Sequence, residues 1–223
     1  MRLHSASALG RRTWPELATG VGAAPPLLPL LVPLGSTEQH GPHLPLDTDT
    51  RIAVAVAERA AAHRPGVLVA PAWAYGASGE HAGFPGTLSI GTEALATALV
   101  ELGRSSEQPL LLVNGHGGNA DAVRAAVALL VAEGRGTRAW APRIPGGDPH
   151  AGRTETSIML HLAPQLVRLD EAVAGPVPTL ADLIRDGVRA HSPSGVLGDP
   201  AGASAAEGER LLAELVEDLC RML

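Results

Sequence analysis

Leu34-Gly35-Ser36-Thr37-Glu38-Gln39-His40-Gly41-Pro42-His43-Leu44-Pro45-Leu46-Asp47-Thr48-Asp49 follows the apolar run Leu27-Leu28-Pro29-Leu30-Leu31-Val32 and precedes a helical pattern over residues 50–63. A short apolar run bounded by turn residues reads as a buried strand, and the quoted stretch as the loop that leads from it into a helix. That loop carries Glu38, His40, His43, Asp47 and Asp49. Carboxylates and imidazoles are the ligands of borderline divalent metals such as zinc and manganese. Glu38 and His40 are one residue apart, so in extended chain both side chains leave the same face. A solvated loop can have the same composition, so a metal reading needs partners elsewhere in the chain.

The same unit repeats outward. Val67-Leu68-Val69-Ala70-Pro71, Pro109-Leu110-Leu111-Leu112-Val113 and residues 137–141 read as further strands, with helices over residues 92–104, 120–133 and 153–160. Thr13 and Thr92 are expected to cap helices, and residues 20–26 to form a turn. Strands alternating with helices predict an α/β fold, a mostly parallel central sheet covered on both faces. The proline-rich stretch 163–202 is weakly patterned and suggests a hairpin plus a short helix over residues 180–189. The last helix shows a capping box, Ser204-x-x-Glu207, and an apolar face of Leu211, Leu215, Leu219 and Met222. With 223 residues, a single domain over 1–223 is expected.

Composition narrows the function. No apolar span approaches the length of a membrane helix. The N-terminus lacks a signal-peptide core, which predicts a cytoplasmic protein. The single Cys220 cannot form an internal disulfide and has no histidine near it, so it is expected to be inert. A net charge of -6 gives no basic footprint for nucleic acid. All 17 basic residues are arginine. Without lysine there is no P-loop phosphate clamp, no Schiff base and no pyridoxal anchor.

In parallel sheets, ligands gather beyond the carboxyl ends of the strands. Glu38 and His40, Glu80 and His81, His116, and His150 with Glu155 all follow a predicted strand. His4, His63, His161 and His191 lack such context and read as structural or exposed. Glu38, His40, Asp49, His116 and Glu155 supply three carboxylates and two imidazoles. That set suits two divalent ions per subunit, zinc, iron(II) or manganese, bridged by one carboxylate. Such ions acidify a bound water to hydroxide and polarise a carbonyl. His150 is then the natural catalytic group to protonate a leaving nitrogen. The expected reaction is hydrolysis of a C–N bond.

Four strings, Gly35-Ser36-Thr37-Glu38-Gln39-His40-Gly41-Pro42-His43-Leu44-Pro45, Phe84-Pro85-Gly86-Thr87, Asn114-Gly115-His116-Gly117-Gly118-Asn119 and His150-Ala151-Gly152-x-x-Glu155-Thr156-Ser157, together resemble the creatininase (creatinine amidohydrolase) family. The resemblance implies a three-layer α/β/α sandwich, a dinuclear metal site and a homo-oligomer. It also implies Glu38, His40, bridging Asp49, His116 and a final glutamate as ligands. Creatininase itself has a glutamate two residues after the histidine of Asn-Gly-His, where this chain has Gly118. The fifth ligand is then expected at Glu155, and creatinine as substrate is put in question. The glycine-rich loop from Tyr75 to Gly91 and the tail around residues 194–200 resemble the peptidase branch of the family. Its members remove a C-terminal Val-Tyr dipeptide from a modified precursor peptide. Two other readings stay open: hydrolysis of a small cyclic amide or formamide, and a binding partner that retains metal without turnover.

Other residues invite weaker expectations. His43 and Asp47 are either orienting partners of the ligands or solvated. Trp73, Tyr75 and Phe84 either wall a pocket or belong to the core, and Glu80 and His81 either hold substrate or pin the glycine-rich loop. Arg143 and Arg153 flank the site and could pair with a substrate carboxylate. Gly115-x-Gly117-x-x-Ala120 partly matches a dinucleotide fingerprint, but the strand ending at Ala141 carries no acidic residue for a ribose.

Overall fold

The computed structural model describes residues 7–18 and 28–223. The turn expected over 20–26, and His4, lie outside the described residues. After the short helix α1 (Trp14–Ala18), four strands form one parallel sheet: β1 (Leu30–Leu34), β2 (Leu68–Val69), β3 (Leu110–Asn114) and β4 (Arg138–Trp140). Their order is β2-β1-β3-β4. Because successive side chains point to opposite faces, β1 and β3 bury every residue and feed two cores. Leu31, Leu111 and Val113 pack against α2 (Thr48–Ala62) together with two later helices, α5 (Arg153–Leu162) and α8 (Ala205–Cys220). Leu30, Val32, Leu34, Leu110 and Leu112 pack against α3 (Thr92–Ser105) and α4 (Ala120–Ala132). This is the expected three-layer α/β/α sandwich.

Pro33 sits inside a central strand, where proline is ordinarily excluded. Its carbonyl accepts from Trp73, so its missing N–H faces the β2 side, beyond the point where β2 has ended. No ladder bond is lost there.

Several local expectations need correction. β1 runs on to Leu34, and α2 begins at Thr48, which puts Asp49 in a helical turn rather than a loop. Thr92 is the first residue of α3, not its cap; Gly91, at φ +80°, holds the cap position. Among the described residues, 163–202 contain no hairpin. Two 3-10 turns (Pro164–Leu166 and Leu169–Glu171) lead to α6 (Leu180–Asp186) and α7 (Val188–His191). The single helix expected over 180–189 is split at Gly187, whose φ of +75° no helix accommodates. The capping box is half formed. Ser204 accepts the Glu207 N–H, while the Glu207 carboxylate turns to Arg153 (2.7 Å) and Ser157 (3.0 Å) on α5. Leu211, Leu215 and Leu219 are buried as expected, and Met222 lies beyond the helix end. Among the described residues no helix is long and apolar enough to cross a membrane.

Candidate metal centre

At the carboxyl end of the sheet, the loop after β1 places Glu38 and His40, the first turn of α2 places Asp49, and the turn after β3 places His116. All four are buried. Asp49 stands between the two imidazoles: its Oδ1 is 3.0 Å from His40 Nε2 and its Oδ2 is 3.1 Å from His116 Nδ1. Ser36 donates to Oδ2 at 2.8 Å. Glu38 Oε2 lies 3.1 Å from His116 Nε2, and Glu155, on α5, brings Oε2 to 4.0 Å from His40 Nε2. Ala151, in the left-handed region at φ 52°, aims its N–H at Glu155 Oε2 over 2.6 Å. A strained non-glycine residue of this kind is found where the surrounding structure dictates the geometry.

The donor set fits divalent cations. Both oxygens of Glu38 are buried with no aligned hydrogen-bond donor. His40 Nδ1 faces the Glu38 carbonyl at 3.1 Å, so with its proton there Nε2 presents a lone pair to the Asp49 carboxylate. Lone pairs opposed at 3.0 Å require a proton or a metal ion between them. Electrostatics agree. Burial opposes charge on His40 and His116, yet the surrounding carboxylates, Asp49 foremost for His40 and Glu38 for His116, raise them to about 10 and about 9. Burial likewise opposes charge on Asp49, but His40 and His116 hold it well below the usual carboxylate range. Burial pushes Glu38 up to about 7. Protons on the imidazoles here stand in for the charge that metals would supply.

Gln39 organises two more histidines. Its Oε1 accepts from Gly41 N–H at 2.9 Å, which fixes the orientation of the amide. Nε2 then lies 2.8 Å from His81 Nδ1, 3.1 Å from the Gly195 carbonyl and 3.0 Å from His150 Nε2. The amide has two hydrogens, and His150 Nε2 also has the Gln39 carbonyl at 2.8 Å. The consistent assignment gives the amide hydrogens to His81 and Gly195, and the His150 Nε2 hydrogen to the Gln39 carbonyl. His150 Nδ1 is then unprotonated and faces Glu38 Oε1 at 3.8 Å, with His81 Nε2–H at 3.3 Å from the same oxygen. Burial and the charges of His40 and His81 hold the His150 pKa well below that of free imidazole; burial and the charges of His116 and His40 lower His81 to about 3. The backbone of His150 pairs both ways with Leu197, which ties this side of the centre to the tail segment.

His81 therefore joins the cluster: among the described residues Glu38 with His81 and His150, His40 with His150 and Glu155, and Glu38 with His40 and Asp49 are each spaced to hold an ion. Glu80 Oε1 lies 3.4 Å from His116 Nε2. Gly118 closes the floor: a Cβ there would lie 2.3 Å from the Ala77 carbonyl and from Glu80 Oε1, and 2.5 Å from His116 Nε2. His43, buried, binds Thr156 beside Glu155 at 2.9 Å and so braces α5. Asp47 is drawn off to Arg51 at 2.7 Å. Trp73 is half-buried against the α3–α4 core, and Tyr75 is exposed. Phe84 lies under the Arg189 guanidinium. Arg153 is bound to Glu207 on α8, which turns it away from the centre, and Arg143 is exposed. Gln39 and Arg189 went unnoticed in sequence. Gln39 was visible between two candidate ligands, but nothing in the sequence marks Arg189.

The sequence profile of the family described as creatinine amidohydrolase matches residues 10–223. The chain is 57% identical over 201 residues to the mycofactocin precursor peptide peptidase of Mycolicibacterium smegmatis, covering 84% of this chain and 81% of that one. Among solved structures, a mutant creatininase described as Zn-Zn type superposes with a TM-score of 0.79 at 28% identity, covering 97% and 96% of the two chains. A creatininase described with Mn superposes with a TM-score of 0.77 at 28% identity over the same shares.

Proposed function

This chain belongs to the creatinine amidohydrolase family, and from that premise we propose that it is the metal-dependent peptidase that releases the C-terminal Val-Tyr dipeptide from the modified precursor peptide of mycofactocin. The carrying observation is the convergence of Glu38, His40, Asp49 and His116 in one buried cluster, with the two oxygens of Asp49 each meeting a different imidazole at 3.0 and 3.1 Å. Glu38, His40, Asp49, His116 and Glu155 would together hold the two divalent cations. Zinc, iron(II) and manganese all accept this donor set. When bound, such a pair polarises the scissile carbonyl and acidifies water.

The protein's own residues supply the rest. His150 Nδ1, bare and facing Glu38, accepts a proton on the cluster side and passes it to the departing amine. The Gln39 carbonyl on Nε2 keeps the ring in that tautomer. His81, held by the Gln39 amide, stands 3.3 Å from Glu38 Oε1. Buried His43 steadies the helix that carries Glu155. The identity of the M. smegmatis relative favours the peptide substrate over a small cyclic amide. We also assign to the chain a single domain over 1–223, a cytoplasmic site of action and a homo-oligomeric state, which light scattering would check.

The test is mass spectrometry of a synthetic precursor peptide incubated with the metal-loaded protein. Release of Val-Tyr that a chelator stops and added metal restores is the expected result. Hydrolysis of creatinine or formamide with the peptide left intact would overturn the peptidase reading.

A further inference from the structure

The cluster opens into a cavity of about 740 Å³ whose floor includes Asp49, His116, His150 and Glu155, and whose outer wall is formed by α6 and α7. Three guanidinium groups line it, those of Arg124, Arg185 and Arg189. Two are already neutralised: Arg124 by Asp121 at 2.7 Å, and Arg185 by Asp182 and Asp186 at 2.7 and 2.8 Å. Arg189 differs. Among the described residues no carboxylate lies within ion-pair distance of it. It donates to the Gly83 carbonyl, and its guanidinium sits 5.9 Å from the centroid of the Phe84 ring. A carbonyl and a ring face fix the planar group in place without cancelling its charge.

Its position relative to the cluster follows from the chain. Gly83 and Phe84 come two and three residues after His81, and Phe84 N–H closes a turn onto the His81 carbonyl. His81 Nε2 is 3.3 Å from Glu38. Two residues of chain span at most about 7 Å, so the anchor of the cation stands no farther than that from the His81 backbone.

We propose that Arg189 receives the C-terminal carboxylate of the substrate peptide and so fixes that end of the peptide relative to the cluster. The inference rests on the peptidase reading above. Every unmodified peptide carries one anion whatever its sequence, its terminal carboxylate, and the two-pronged guanidinium matches that group's geometry. Arg143 and Arg153, the arginines that sequence alone suggested, do not line this cavity, and Arg153 is held by Glu207 on α8.

The experiment compares metal-loaded wild type, Arg189→Gln and Arg189→Lys on two versions of one precursor peptide, ending in a free carboxylate or in a terminal amide. The wild type is expected to prefer the free acid by at least about ten-fold in kcat/KM, the scale of a lost charged hydrogen bond. In Arg189→Gln that preference disappears, with the loss on the free acid appearing in KM, and Arg189→Lys keeps part of it. If the wild type cleaves both versions equally, or Arg189→Gln retains the preference, the assignment of Arg189 falls and the peptidase reading stands. If the wild type cleaves neither, the peptidase reading falls and takes this assignment with it.

Discussion

Replacing Glu38 with glutamine is expected to stabilise the metal-free protein while removing much of what metal adds. The side chain is wholly buried, has no aligned donor on either oxygen, and is pushed by burial from 4.5 to about 7, against the pull of His116. A carboxyl whose folded pKa exceeds its unfolded value keeps its proton longer in the folded state. Stability therefore declines as pH rises from about 4.5 and levels off above about 7, for a total near 3 kcal/mol. Glutamine has nothing to ionise. The metal-free variant should gain up to about 3 kcal/mol near pH 8 but only about 1 kcal/mol near pH 5.5. For a chain of this length the larger gain raises Tm by roughly 6 to 10 °C. Thermal melts of both proteins after chelator treatment, at the two pH values, measure it. Adding metal back should raise the wild-type Tm by mass action and the variant Tm much less. A metal-free variant that melts below wild type near pH 8, or a gain that does not shrink near pH 5.5, would refute the reasoning.

Other expectations follow from the same geometry. His150→Ala should abolish turnover while metal analysis still finds about two ions per subunit; loss of both would make His150 a ligand. Glu155→Gln should lower metal occupancy, read by the same analysis, and unchanged occupancy would remove Glu155 from the ligand set. Gly208 lies where α8 crosses α5, and a Cβ there would come 1.9 Å from the Ser157 carbonyl. Gly208→Ala should therefore destabilise by more than about 2 kcal/mol in urea melts, although the same change in an open helix stabilises by about 1 kcal/mol.

What could be read in the sequence was local. The runs at Leu30–Leu34 and Leu110–Asn114 declare buried parallel strands, because a strand covered on both faces has no polar side to show. Placing Glu38, His40 and His116 after strands brings them to one end of the sheet for the same topological reason. The meeting of His150 with Gln39 was not legible, since it spans 111 residues and depends on the backbone pairing with Leu197. Nor was the destination of Arg153, because an arginine beside a candidate ligand and one reaching a neighbouring helix look alike in one dimension. The stretch 163–202 gave no period because its short helices and 3-10 turns are each too brief to repeat one.

The crowding around Gly118 decides what that position can hold. Any side chain at 118 strikes the Ala77 backbone before it could reach an ion. A larger residue would be admitted only with the turn at 77–80 displaced, so this side of the cluster has to draw its carboxylates from neighbouring segments and cannot grow one at 118.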